Sequence, residues 1–319
     1  MDKKLLSLTL LTALILIVGC AEEAQETSSA SPFLGGTKGI VAEFQDMGIR
    51  NERTGQNEIY EGETFPIEIL VWNKGEDDVE PSNLLVSLMG INLPDFDNIT
   101  GENDPNVEEG ALSNIAKIER ISEFNPEGGE IPLNFIESDA DGANYTINLT
   151  GSSYNVNLFA SVVYNYTTYV AVPKLCYNGD PANTDICVVD EEKDVFSSAA
   201  PIQVKKAEEK RAGSGIIAVE FDVENVGSGK VTKQGEGFDN RYDQFEFKMP
   251  DATEAANWAC TSGGNTDWGR LDKSGKAKIR CKRNTQIQKN DAVYTREFGL
   301  EIKYKYKDII QDSVRILKS

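Results

Sequence analysis

The chain has 319 residues, of which 39% are hydrophobic, and it carries a formal net charge of −20 with no histidine. Without histidine, Ser-His-Asp and Cys-His catalysis and histidine-ligated zinc, copper or non-haem iron sites are excluded. A catalytic pair of carboxylates of the kind that cleaves glycosides is not excluded, but the abundance of Asp and Glu is no evidence for one. We therefore expect no enzyme and no cofactor. Because the chain is so acidic, we also expect no nucleic-acid partner.

The first twenty residues have the form of an export signal with a lipid-attachment site. Lys3 and Lys4 precede a mostly apolar run over residues 5–18. As a helix this run is about 21 Å long, shorter than the roughly 30 Å core of a membrane. The sequence Ile-Val-Gly-Cys that ends at Cys20 resembles a lipobox. That resemblance implies a signal peptide over 1–19, lipidation of Cys20 and a place on the extracellular face of the cell membrane. An ordinary signal peptide that contains a cysteine is the alternative.

Composition divides the mature chain into segments. Residues 20–38 are rich in Ser, Ala and Gly and are predicted to be a flexible tether. A first domain is predicted over 39–205, with a long acidic loop excursion at 92–129. A Lys- and Glu-rich linker is predicted at 206–214, followed by a second domain over 215–319.

Two segments, 67–75 and 219–227, repeat one pattern in which apolar and polar residues alternate and Asn-x-Gly follows. A period of two predicts a strand with one buried face, and Asn and Gly favour the turn after it. The expected buried residues are Ile67, Ile69 and Val71 in the first copy, and Val219, Phe221 and Val223 in the second. The wide spacing predicts two domains of related construction rather than a short solenoid repeat.

Further segments rich in Val, Thr, Tyr and Asn are predicted to be strands. In the first domain they are 39–48, 83–89, 144–150, 154–164, 167–176, 185–189 and 201–205. In the second they are 244–248, 257–260, 276–282, 292–306 and 309–317. One short helix is expected at 111–120. Many short strands between turns predict an all-β protein of sandwich type.

The Asn-x-Gly strands, the sequence Glu-Gly-Glu-Thr-Phe-Pro at 61–66 and Ser-Pro-Phe-Leu-Gly-Gly-Thr at 31–37 carry a resemblance. They are similar to immunoglobulin-like, cell-adhesion-related (CARDB-like) domains of prokaryotic, and in particular archaeal, surface lipoproteins. The resemblance implies two immunoglobulin-like β-sandwich domains in tandem on the cell surface. It implies no catalytic residues.

Four cysteines remain if Cys20 is lipidated. An even number in an exported chain indicates disulfides, and proximity favours Cys176–Cys187 and Cys260–Cys281. Loop-closure entropy predicts that each of these disulfides stabilises the folded protein by about 3 kcal/mol. A zinc site is the alternative, but the cysteines lack the C-x-x-C spacing that such sites use.

Three kinds of candidate site stand out. Asn98, Asn144, Asn148 and Asn165 begin Asn-x-Thr sequons and are candidate glycosylation sites, although such short motifs also arise by chance. Glu137, Asp139 and Asp141 have the spacing of the first half of a calcium loop, but position twelve is not the required Glu. A polar turn explains them more simply. Trp268, in a glycine-rich loop, is a candidate ligand contact, with packing onto its own domain as the alternative.

Charge is divided unevenly along the chain. Residues 21–204 hold 8 basic and 33 acidic residues, whereas residues 205–319 hold 22 basic and 18 acidic residues. This division allows head-to-tail association between copies, but the favoured explanation is that an acidic surface keeps an exported protein soluble and repels the anionic membrane. We expect a lipid-anchored surface protein with a structural or adhesive display role. A self-assembling subunit of a surface layer or filament and a carbohydrate-binding module are the alternatives. The expected partners are the membrane through the anchor, and then a second copy, another surface protein or a glycan.

Overall fold

The computed structural model describes residues 30–100, 110–180 and 182–319, and their regular structure is almost entirely β. This confirms the predicted all-β, sandwich-like class. The strands are β1 Ile40–Phe44, β2 Ile49–Arg50, β3 Asn57–Tyr60, β4 Thr64–Phe65, β5 Glu68–Asn73, β6 Leu84–Met89, β7 Phe96–Asp97, β8 Ala111–Ser113, β9 Glu130–Asn134, β10 Ala143–Tyr145, β11 Ser153–Tyr177, β12 Glu191–Lys193, β13 Phe196–Ser197, β14 Ile202–Gly213, β15 Ile216–Asn225, β16 Lys230–Thr232, β17 Asp243–Lys248, β18 Trp258–Thr261, β19 Trp268–Leu271, β20 Lys276–Arg283 and β21 Tyr294–Leu317. A 3-10 turn at Leu93–Asp95 and a short helix, α1, at Ala252–Ala255 complete the described elements.

The described strands form four sheets. Three strands in the order β1-β5-β9 make one sheet and β4-β10-β7 make a second. A ten-stranded sheet follows the path β19-β17-β21-β11-β6-β8, with β2, β3, β13 and β16 attached to it. The fourth sheet has the order β12-β14-β15-β20-β18. Their inner faces share one contiguous cluster of buried apolar side chains, so the sheets pack as layers around a common core.

The ten-stranded sheet is built on two very long strands. β11 has 25 residues and β21 has 24, and they pair antiparallel from Ser153 opposite Leu317 to Tyr177 opposite Tyr294. At about 3.4 Å per residue this ribbon is roughly 80 Å long. The register shifts once, at Pro173, which lacks the N–H that a regular ladder requires.

These two strands come from opposite sides of the predicted domain boundary, and residues 31–319 form one compact unit. The division into two tandem domains is therefore not confirmed. We refer below to residues 31–204 as the first half and residues 205–319 as the second half. Because β11 and β21 belong to the same sheet, the two halves are joined by a continuous ladder of backbone hydrogen bonds.

The predicted linker at 206–214 is wrong, because most of it lies in β14. This strand pairs with β12 on one side and β15 on the other. Its outward side chains are charged, which gives the segment the composition of a solvated linker. Its inward positions include Ala207 and Glu209, both fully buried. Composition alone did not separate these two faces.

Several other local predictions are corrected. The helix expected at 111–120 is strand β8 followed by a turn. That turn is held by Asn114, whose Oδ1 accepts from Leu84 N–H at 2.9 Å and whose Nδ2 donates to the carbonyls of Glu80 and Ala116. An asparagine that bonds the backbone in this way competes with a helix. Residues 185–189 form no strand, because the disulfide loop there has no strand partner.

The predicted repeat is confirmed. β5 contains most of the first copy and β15 most of the second, and each is the middle strand of its layer. Every expected inward residue is buried, with exposed fractions of 0 to 1%. Alternation with a period of two therefore identified the buried face correctly in both halves.

The first copy ends in a hydrogen-bonded corner around Asn73. Its Oδ1 accepts from Gly75 N–H at 3.2 Å and from the hydroxyl of Tyr166 at 3.0 Å, and its Nδ2 donates to the carbonyl of Asp77 at 2.7 Å. Only glycine fits at position 75, because a Cβ there would lie 2.1 Å from the Tyr166 hydroxyl oxygen. The long strand β11 thus clamps the turn through its tyrosine.

The second copy repeats this corner around Asn225. Its Oδ1 accepts from Gly227 N–H at 3.2 Å and from the hydroxyl of Tyr306 at 3.3 Å, and its Nδ2 donates to the carbonyl of Gly229 at 2.9 Å. A Cβ on Gly227 would lie 2.2 Å from the Tyr306 hydroxyl oxygen. The clamping tyrosine now comes from β21, so the two corners use equivalent positions on the two long strands.

Four tyrosines meet where the halves join. Tyr164 lies opposite Tyr306 and Tyr166 lies opposite Tyr304, with neighbouring ring centroids 5.5 to 6.4 Å apart. All four are buried, and burial raises the pKa of each hydroxyl above its ordinary value. We call these residues the tyrosine cluster. They fill the core at the centre of the shared sheet.

Candidate functional site

Both predicted disulfides are confirmed. Cys176 and Cys187 are bonded with a Cα–Cα distance of 5.7 Å, and Cys260 and Cys281 with a distance of 3.9 Å. The second bond joins directly paired residues of β18 and β20, so it fastens an edge strand to its sheet. The cysteines are therefore used for cross-linking rather than for a zinc site.

A buried ion pair lies beside the first disulfide. The carboxylate of Glu209 accepts from Cys176 N–H at 3.0 Å and lies 3.2 Å from the ammonium of Lys193. Burial raises the pKa of Glu209 to about 7, and the hydrogen bond from Cys176 and the charge of Lys193 only partly offset this. The second oxygen, Oε1, has no hydrogen-bond partner. Sequence patterns gave no sign of this site, because Glu209 looked like one more solvated charge.

The chain enters the described structure through residues 31–36, which we call the N-terminal strap. The backbone N–H groups of Leu34 and Gly35 donate to the two carboxylate oxygens of Glu76 at 2.9 and 3.0 Å. Ala199 N–H donates to the same carboxylate at 2.7 Å. Glu76 follows the Asn73 corner, and Ala199 precedes β14. One side chain therefore fastens the strap to both neighbouring segments at the join between the halves.

A groove of about 560 Å³ lies beside the strap, and we call it the junction groove. Its apolar lining is Phe33, Leu34, Ile121, Val170, Pro250 and Leu300. Its charged lining is Glu76, Glu123, Glu297, Glu301 and Arg120. Four carboxylates against one guanidinium make the groove acidic, so it suits a cationic group that carries apolar surface.

The polar residues beneath the groove are tightly bonded. The carboxylate of Asp77 accepts from the Tyr169 hydroxyl at 3.0 Å. Burial raises the pKa of Asp77 even though hydrogen bonds from Tyr169 and Thr167 lower it. Burial, together with the charge of Asp77, also raises the pKa of Tyr169. These groups hold the floor of the groove in place.

Exposed apolar side chains border this groove. Phe124 follows Glu123 at the tip of a turn in which Ser122 and Asn125 exchange backbone hydrogen bonds, and it is 96% exposed. Leu34 of the strap is 50% exposed. A phenylalanine held in water at the tip of an ordered turn is unusual for a side chain that gains from burial. These residues were not singled out from the sequence, because local patterns do not report exposure in a loop.

The basic residues of the five-stranded sheet are largely neutralised by their neighbours. Acidic residues on β15 stand directly opposite basic residues on β20. The ion pairs are Lys276–Glu224 at 3.6 Å, Lys278–Asp222 at 2.6 Å and Arg280–Glu220 at 3.4 Å. Many basic side chains of the second half are therefore paired with acidic side chains of the same sheet.

Lysines on the outer face of β21 are different. Lys305 and Lys307 form no ion pair within the described residues, and their ammonium groups lie 5.5 and 5.8 Å from the centroid of the Phe238 ring. Lys230 of β16 is directly opposite Lys307. We call these three lysines the lysine row. Lys230 is paired with Asp243 at 3.4 Å, so the positive charge that remains available to a partner is that of Lys305 and Lys307.

Trp268 lies on β19, at one edge of the ten-stranded sheet, and is half-buried. The ammonium of Lys233 is 5.3 Å from the centroid of its ring and is also paired with Glu236 at 2.7 Å. One face of the indole is thus close to a side chain of its own half. A contact between Trp268 and a ligand stays a prediction.

The four sequon asparagines lie in different environments. Asn98 donates from Nδ2 to the carbonyl of Gly142 at 3.0 Å, and Asn165 donates to Asn83 at 3.0 Å. Asn144 is half-buried and has its Oδ1 enclosed, whereas Asn148 is exposed. Because glycan transfer requires an accessible Nδ2, Asn148 is the best placed of the four in the folded protein. Glycosylation itself stays a prediction.

The calcium candidate is not supported by the structure. Glu137 and Ala140 form a turn that precedes β10, with Ala140 N–H donating to the carbonyl of Glu137 at 3.1 Å. Across the ranges that the structure describes, no three Asp, Glu, His or Cys side chains are placed to hold a metal ion. Glu137, Asp139 and Asp141 therefore do not come together as ligands.

Cys20 lies outside the described residues, and its lipidation stays a prediction. No helix in the described part of the chain has the length and apolar character needed to cross a membrane. No family model matches the chain, and no curated protein matches it.

Proposed function

We propose that this chain is a lipid-anchored protein of the extracellular surface that has a structural or adhesive display role. The observation that supports this best is the set of backbone hydrogen bonds that the Glu76 carboxylate accepts. The strap, which lies within the last part of the predicted tether, donates two backbone hydrogen bonds to Glu76, and Ala199 donates a third to the same carboxylate. A load applied through the N-terminus would therefore enter the body at Glu76 and Ala199, shortly before β14.

The construction of the body suits such a role. A continuous ribbon of paired strands runs through both halves, and two disulfides secure peripheral segments. Disulfides are typical of proteins that work in an oxidising compartment outside the cytoplasm. Charged ladders between β15 and β20 give the five-stranded sheet a polar outer face. Both properties favour a stable scaffold that presents surfaces to other molecules.

The anchor is tested by changing Cys20 to Ser in the full chain and fractionating the cells. We expect the unchanged protein in the membrane fraction, and degraded when protease is added to intact cells. The C20S protein should leave the membrane fraction, because it lacks the acceptor for lipid. Ser28→Ala, a small change a few residues downstream, serves as the control. Membrane association that is identical for C20S and the unchanged protein would overturn the proposal.

A further inference from the structure

We propose that the outer face of the ten-stranded sheet is a self-association surface on which a second copy of this chain binds with two-fold symmetry. We call it the junction face. It goes beyond the display role, which does not require a dimer. On β21, residues 300, 302, 304 and 306 point into the core and are buried. The alternate residues from 297 to 307 therefore project from the outer face.

One end of this face is acidic and carries apolar side chains. The junction groove is lined there by outward residues of both long strands, with Tyr169 opposite Glu301. Glu301 is already paired with Lys248 and Lys303, at 3.4 and 3.6 Å. Glu123 and Glu297 are exposed and form no ion pair within the described ranges. Together with the exposed Phe124, they offer negative charge beside an apolar group.

The other end of the face is basic. The lysine row lies further along β21, with Lys305 about 13 Å from Glu301 at 3.3 Å per residue. Its residues Lys305 and Lys307 stand over Phe238, which keeps the ammonium groups close to apolar surface. The charges that are free at each end are thus of opposite sign, and both ends lie on one side of one sheet.

This arrangement favours a closed dimer over a head-to-tail chain. When a second copy is related by a two-fold axis that lies in the plane of the interface and perpendicular to β21, the two faces meet, each acidic end contacts a lysine row, and both contacts form at once. The division of charge along the sequence instead suggested contacts between whole halves. The cations of the five-stranded sheet are already paired, so they contribute less to such contacts. Burial of Phe124 would supply the apolar anchor that stable interfaces use.

The proposal is tested by sedimentation velocity on the mature chain with Cys20→Ser, over a range of concentrations and at low and high salt. We expect a monomer–dimer equilibrium that weakens as salt is added, because the contacts are electrostatic. K305E/K307E and E123K/E297K should each weaken the dimer by about tenfold or more, since each places like charges together. Phe124→Ala should weaken it without changing the salt dependence.

Two further samples make the test specific. K205E/K282E changes the same amount of charge on exposed lysines of the five-stranded sheet and should leave the dimer intact. An equal mixture of K305E/K307E and E123K/E297K should form a heterodimer, because one face is then wholly acidic and the other wholly basic. Circular dichroism confirms that each variant is folded. A monomer at every concentration, growth into open-ended oligomers, or full dimerisation of K305E/K307E would overturn the proposal. The C20S fractionation result is independent of all these outcomes.

Discussion

At the scale of single residues, two tyrosine hydroxyls connect the long strands to the turns of the repeat. Tyr166 donates to Asn73 and accepts from Asp77 N–H, and Tyr306 donates to Asn225. Each hydroxyl is enclosed, so its partners would have no water to bond in its absence. A buried group that loses its partner costs about 1–3 kcal/mol.

We therefore expect Tyr166→Phe and Tyr306→Phe each to lower the free energy of unfolding by about 1–2 kcal/mol. The two losses should be similar, since the two corners share one geometry. Urea unfolding followed by circular dichroism measures both. Tyr60→Phe is the matched control, because Tyr60 is 52% exposed and its change should stay within about 0.5 kcal/mol. A loss at one corner only would contradict the equivalence of the two repeats.

Glu209 predicts a specific dependence on pH. The unfolded chain releases this proton near the ordinary value of 4.5, whereas burial holds the pKa of the folded group at about 7. The stability that this group contributes is therefore complete below about pH 4.5 and falls as the pH rises towards 7. Glu209→Gln removes this pH-dependent contribution to stability. The difference in unfolding free energy between the two proteins should change across the window by on the order of 3 kcal/mol.

The measurement is urea unfolding of both proteins at about pH 4.5, 5.5 and 7. Glu208→Gln, on the neighbouring solvent-facing position of the same strand, is the control and should follow the unchanged protein. If the unfolding free energies of the unchanged protein and Glu209→Gln run parallel between about pH 4.5 and 7, Glu209 has the same pKa in the folded and unfolded states, which contradicts the prediction.

At the scale of elements, β14 shows where sequence patterns reach their limit. The repeat strands β5 and β15 could be identified because their apolar residues alternate with polar ones. In β14 the inward residues are Ala207 and Glu209, so the same alternation is hidden among charges. The four cysteines were paired correctly because the nearest partners in sequence are also nearest in space. The junction groove was not predicted, because its walls come from distant segments.

An insertion test separates a strand from a linker at this position. One glycine inserted after Glu208 should destabilise the protein by several kcal/mol or prevent folding, because it turns every following side chain of β14 to the opposite face. The same insertion after Gly55 should be tolerated, since nothing lies within 4 Å of a Cβ at that exposed turn. Expression level and near-ultraviolet circular dichroism report the outcome. Equal tolerance at both positions would mean that residues 206–214 behave as a linker.

At the scale of the whole molecule, the pairing of β11 with β21 makes the two halves dependent on each other. The sequence predicted both halves and their related construction, but not this pairing. Local alternation identifies a strand and its buried face, and it does not identify a partner about 140 residues away. The tyrosine cluster, which draws two residues from each long strand, adds a shared core at the join. Neither half could unfold without exposing the apolar edge of the other.

The most direct test of this account is differential scanning calorimetry of the mature chain with Cys20→Ser and both disulfides intact. A single transition whose calorimetric and van't Hoff enthalpies agree is the predicted result, because the shared sheet joins residues 31–319 into one cooperative unit. Two resolved transitions, each with about half of the total enthalpy, would contradict it. That result would mean that the halves fold independently and that the long ribbon does not couple them.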